Sequence, residues 1–76
     1  MNEYDEVELR EAHPEWALIA GARGTVIDVH GAERGFVTVE FYGPDEENEV
    51  HLVPIAALRV TDVYHAAATR THHAAD

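Results

Sequence analysis

Gly35-Phe36-Val37-Thr38-Val39-Glu40-Phe41-Tyr42 is the stretch that decides the fold. Val37, Val39 and Phe41 recur with period two in a run of β-branched and aromatic residues, which is the pattern of a strand with one buried face. Just before it, Thr25-Val26-Ile27-Asp28-Val29-His30 has the same character and closes at Gly31. The intervening Gly31-Ala32-Glu33-Arg34 has the length and composition of a hairpin loop, so the two strands are expected as antiparallel neighbours.

Working outward, residues 4–9 place Asp5, Val7 and Leu9 on one face and Glu6 and Glu8 on the other, a half-buried first strand. His13-Pro14-Glu15-Trp16 follows, where Pro14 disfavours a helical His13 and Gly21 and Gly24 punctuate the end. This segment reads as a long loop with apolar anchors at Trp16, Leu18 and Ile19. On the other side, Gly43-Pro44-Asp45-Glu46-Glu47-Asn48 interrupts the chain. Residues 49–53 then resume a strand, with Val50 and Leu52 expected on one face and His51 on the other. Pro54-Ile55-Ala56-Ala57 suits one tight 3-10 turn, and Leu58 and Val60 fit a short closing strand.

The expected fold is therefore all-β: a small five-stranded SH3-like partly open barrel over residues 1–62, with a short 3-10 turn before the last strand. Its core is expected to hold Val7, Leu9, Ile27, Val29, Val37, Val39, Phe41, Val50, Leu52, Ile55, Leu58 and Val60. Residues 63–76 are rich in alanine without a sustained apolar stripe, and read as a flexible or weakly helical tail.

A chain of 76 residues has room for one domain and buries roughly 60% of its unfolded surface on folding. It has no cysteine, so neither a disulfide nor a thiolate metal site reinforces it. A partner protein or a homo-oligomer would supply the missing burial. Fifteen acidic residues stand against five arginines, for a formal charge of −10. Those arginines, Arg10, Arg23, Arg34, Arg59 and Arg70, are dispersed, whereas a phosphate-tracking surface needs clustered positive charge. Nucleic acid and anionic membrane are excluded as direct partners on this ground, and a basic protein is the partner such a field attracts. The acidic start and the lack of a long apolar run point to the cytoplasm.

Six histidines, at His13, His30, His51, His65, His72 and His73, show no recognised ligand spacing, so no metal site is assigned. Threonine is the sole hydroxyl nucleophile besides tyrosine, and a barrel this small fills its interior with its own side chains. The glycine-bearing loops lack the Gly-Lys-Ser/Thr ending of a phosphate loop. No catalytic residue and no cofactor is expected. Aromatic residues with acidic neighbours are what such barrels present to extended or basic peptides, which nominates Glu15, Trp16, Tyr42, Asp45, Glu46, Glu47 and Glu49 as a partner-binding surface.

Four segments together carry a family resemblance: Tyr4-Asp5-Glu6-Val7-Glu8-Leu9, Ala20-Gly21-Ala22-Arg23-Gly24-Thr25-Val26, Val37-Thr38-Val39-Glu40-Phe41 and Val53-Pro54-Ile55-Ala56-Ala57-Leu58-Arg59. In order and spacing they resemble the small bacterial domain of unknown function DUF4926, over about residues 4–61. More distantly they are similar to KOW-type modules and the nitrile hydratase β-subunit barrel. The resemblance implies an SH3-like fold and carries over no catalytic residue. KOW modules meet RNA through basic loops, whereas the corresponding loops here hold Glu33 and Asp45-Glu46-Glu47, which argues against that role. The expected function is a non-enzymatic acidic protein-binding module that regulates or neutralises a partner, antitoxin- or immunity-like. The alternative is an accessory subunit or metallochaperone-like partner of an enzyme, for which His65, His72 and His73 would matter.

Overall fold

A computed structural model describes residues 1–43 and 47–64. Five strands, β1 (Glu6–Leu9), β2 (Arg23–Asp28), β3 (Phe36–Phe41), β4 (Glu49–Pro54) and β5 (Leu58–Asp62), form one antiparallel sheet in the order β4-β3-β2-β1-β5. Strands 1 to 4 follow one another as a meander, and the 3-10 turn Ile55–Ala57 returns the chain so that β5 pairs with β1. This is the SH3-like order of a partly open barrel. The expected tail begins with Val63 and Tyr64, and the rest of it lies outside the described residues.

The core consists of Val7, Leu9, Val26, Val37, Val39, Phe41, Val53 and Leu58, each at most 2% exposed. In β3 the expected phase holds, with Val37, Val39 and Phe41 all inward. In β2 the inward residue is Val26 in place of the expected Ile27. Gly24 sets this phase: it lies opposite Val7 and against β3, where a Cβ would come within 2.5 Å of the Glu40 carbonyl oxygen. Two residues on, Val26 must also face inward. The register then slips between Val26 and Asp28, so Ile27 falls at the irregularity and Val29 returns to pack against the core.

The larger correction is in β4. Val53 is fully buried while Val50 and Leu52 are 53% and 60% exposed, and His51 faces inward. Opposed residues in a sheet share a face, so the pairing of His51 with Val39 and of Val53 with Val37 puts them inside. Val50 and Leu52 lie opposite Glu40 and Thr38 and share the outer face. Val60, expected in the core, is about a third exposed in the middle of the edge strand β5 (36%), while Ile55 packs partly against the core.

The ends of the barrel are joined by one carboxylate. Asp5 is 2% exposed; its Oδ2 accepts the Asn2 backbone N–H at 2.8 Å and its Oδ1 accepts that of Tyr64 at 3.1 Å. The adjacent Tyr4, at φ 71°, turns the chain so that its own amide reaches the Val26 carbonyl. Tyr4 and Tyr64 then meet edge to face at 5.4 Å.

Two measurements check this packing. Phe41→Ala should cost about 3–5 kcal/mol of unfolding free energy, whereas Leu52→Ala should change it by no more than about 0.5 kcal/mol, because Leu52 faces solvent. Equal losses in denaturant melts would overturn the β4 register. Ending the chain after Tyr64 should preserve the melting temperature, and ending it after Asp62 should lower it, because a buried carboxylate then loses a donor.

Candidate functional site

The loop between β1 and β2 is built around a short 3-10 turn, Pro14–Trp16, which Pro14 enters with a pre-set φ and which ends at Ala17 in the left-handed region, φ 57°. A backbone bridge between His13 and Leu18 closes it. Trp16 and Leu18 pack against the core as expected of anchors, whereas Ile19 is 74% exposed and anchors nothing.

Two imidazole rings stack on the indole of Trp16. His13 stacks at 4.4 Å with 5° between planes, and His51 of β4 stacks at 4.5 Å with 17°. Each imidazole has a carboxylate beside it: Glu15 Oε1 lies 3.2 Å from His13 Nδ1, and Glu49 Oε2 lies 3.5 Å from His51 Nε2. The Glu15 carboxyl is held below its ordinary value, first by its own backbone amide and then by the His13 ring. His51 Nε2 is buried without a hydrogen bond of good geometry, so the Glu49 carboxylate is the nearest compensation for its polarity.

Beside this stack lies a groove of about 280 Å³. Trp16, Leu18 and Phe41 supply its apolar surface, Tyr42 its wall, and Glu47 and Glu49 carboxylates; among the described residues no arginine lines it. Tyr42 is fixed from outside, its hydroxyl donating to Glu6 at 2.9–3.0 Å, while Thr25 donates to the same carboxylate at 2.5 Å and also meets the Tyr42 hydroxyl. The Thr25 contact pulls the Tyr42 phenol pKa down, but burial, Glu6 and Glu40 together outweigh it, and the net direction is upward.

Of the residues nominated from sequence, Trp16, Tyr42, Glu47 and Glu49 meet at this groove. Glu15 does not line it and acts on the stack through His13; Asp45 and Glu46 lie outside the described residues. Sequence reasoning missed His13, His51 and Phe41 as parts of the site. For His51 the missed signal was Pro54, whose missing N–H fits β4 only with its nitrogen on the open edge, which fixes the phase of the strand. Among the described residues no group of three or more His, Asp or Glu is arranged to hold a metal ion, and no helix is long and apolar enough to cross a membrane.

The upward shift of Tyr42 has a consequence for stability. Its folded pKa exceeds the unfolded one, so the contribution is complete below the unfolded value and is lost as pH rises through the folded value. Melting temperature should therefore fall through the alkaline tyrosine range, and Tyr42→Phe should flatten that fall. An unchanged alkaline profile in the variant would remove Tyr42 from the hydroxyl network.

Comparison with curated proteins and with solved structures yields no match. A family model described as a domain of unknown function, DUF4926, matches residues 3–57, from the N-terminal turn through the last 3-10 turn. That span covers most of the chain and includes every groove residue named above, and the chain belongs to this family.

Proposed function

We propose that this domain is a non-enzymatic, acidic protein-binding module that regulates or neutralises a basic partner protein in the cytoplasm, in the manner of an antitoxin or immunity protein. The observation that carries the reading is the groove beside the Trp16 loop, whose described lining has an apolar floor, the carboxylates of Glu47 and Glu49, and no cation. Such a groove suits the side chain of a lysine or arginine, whose alkyl stem covers the floor while its charged head meets Glu47 and Glu49. Two histidines already stack on the indole, so a cation would compete with imidazole rings for its faces. The chain's net charge of −10 steers such a partner toward it from beyond contact range.

The charge inventory supports the same reading. Glu8 takes Arg59 through a close contact with the guanidinium and lies 4.0 Å from Arg23, and Arg10 Nε donates to the Leu58 carbonyl at 3.0 Å. These three arginines are engaged away from the groove, where Glu47 and Glu49 meet no arginine among the described lining residues. The accessory-subunit or metallochaperone alternative rests on His65, His72 and His73, which lie outside the described residues, and nothing at the groove favours it.

The test is a titration of the isotope-labelled chain with a short extended peptide rich in lysine and arginine, followed by NMR. Shifts should centre on the Trp16 indole and the Glu47 and Glu49 amides, and should weaken as salt rises, because exposed charges more than ~8 Å apart are screened at 0.15 M. Glu47→Gln with Glu49→Gln should lower the association rate more than it raises dissociation. Shifts spread evenly over the acidic surface, or affinity indifferent to these two substitutions, would reject the groove as the site.

A further inference from the structure

We propose that the chain also self-associates, as a two-fold dimer in which the free edge of β4 pairs antiparallel with the same strand of a second copy. Among the described residues β4 is an edge of the sheet, with β3 as its single neighbour. The backbone bonds alternate along it. Ile55 N–H bonds the Gly35 carbonyl, and on the far side of β3 the Tyr42 N–H bonds the Arg23 carbonyl. Continuing that alternation, Glu49, His51 and Val53 direct their amides toward β3, while Val50 and Leu52 direct theirs to the open edge. Among the described residues no backbone bond joins Val50 or Leu52 to a group outside the β3–β4 pair.

The same two residues are the exposed apolar ones, 53% and 60%, and Phe36 beside Pro54 extends the apolar surface at 39%. Edge strands are ordinarily protected by a lysine, a bulge or a proline within the strand. β4 has no lysine, its register with β3 is unbroken over six pairs, and its proline comes at the last position. An open, apolar, unkinked edge is thus left in a chain that is otherwise strongly charged.

The occupant is a second copy because the segment is self-complementary. A two-fold axis at His51 sets Val50 of one copy against Leu52 of the other, twice, with all four outward amide pairs satisfied and apolar side chains opposed on the outer face. Glu49 then faces Val53, so no carboxylate opposes a carboxylate along the strand pair. Centring the axis on Leu52 would set Val50 against Pro54, which has no N–H; centring it on Val50 would set Leu52 against Asn48. Two six-residue strands bury less than the ~1,200 Å² of a standard interface, so the dimer is a concentration-dependent one, with a dissociation constant on the order of 10–100 μM.

Two like-charged chains must approach, so added salt strengthens this dimer, the reverse of its effect on a basic partner. That opposite sign separates the two interactions in one set of measurements. Sedimentation equilibrium of the full chain should show a weight-average mass climbing toward twice the monomer as concentration rises, more steeply at high salt. Leu52→Lys should weaken dimerisation by about tenfold or more. Leu52→Pro, which removes an outward N–H and the leucine side chain without costing a bond to β3, should abolish it while the circular dichroism stays native. Hydrogen exchange at the Val50 and Leu52 amides should slow with protein concentration. A chain that stays monomeric into the millimolar range overturns the proposal, as does a dimer indifferent to Leu52→Lys, or protection at Val50 and Leu52 that appears only on adding another protein's strand.

Discussion

The two-sided pairing of β3 is the constraint on which the rest of the structure depends. Its residues alternate between bonding β2 and bonding β4, and its side chains alternate between core and surface with the same period, so one choice of phase fixes both. With Val37, Val39 and Phe41 inward, the opposed residues of the neighbours are inward as well: Val26 and Gly24 on one side, Val53 and His51 on the other. His51 therefore enters the floor of the Trp16 loop by consequence of the valine pattern of the neighbouring strand, lying 6.1 Å from the Phe41 ring. The stack on Trp16 and the exposed Val50 and Leu52 follow from one choice of register.

A core of eight buried apolar side chains is small, and the chain compensates at its margins. Asp5 gathers backbone donors from a residue before it and from one past the last strand, joining segments that no apolar contact of comparable burial holds together. Trp16 does similar work at the open end, covering Phe41 and His51 from the long loop. Glycine serves at particular places: Gly35 at φ +89° turns the β2–β3 hairpin, and Gly24 admits the backbone of β3. Close approach of strands thus accounts for Gly24 within β2, while Gly21 before it serves a turn at φ +85°.

Strand existence, order and the 3-10 turn were legible from period-two patterns and turn residues, because those signals are local. Phase was legible only where the pattern was unambiguous. In β3 polar and apolar residues alternate without exception through Thr38 and Glu40, whereas Val50-His51-Leu52-Val53 and Val26-Ile27-Asp28-Val29 offer apolar residues in both phases. There the decision falls to long-range facts: the approach of β3 at Gly24, and the pairing of Val53 with Val37. The acidic half of the site, Glu47 and Glu49 beside Tyr42, could be read from composition near a strand end. Its histidine half could not, since His13 and His51 are 38 positions apart in sequence and meet only through Trp16.

That meeting also changes what the tryptophan can do. An exposed indole offers its faces to any cation or proline and so binds broadly. Here His13 and His51 stack on it with Glu15 and Glu49 beside them, and on the proposed reading discrimination passes from the indole face to the shape of the groove and the positions of its carboxylates. Glu49 belongs to both arrangements: it stands beside His51 and also lines the groove. On the proposed reading, a cation arriving at Glu49 meets the carboxylate that also stands 3.5 Å from His51 Nε2, so the groove and the Trp16 stack share one acidic group.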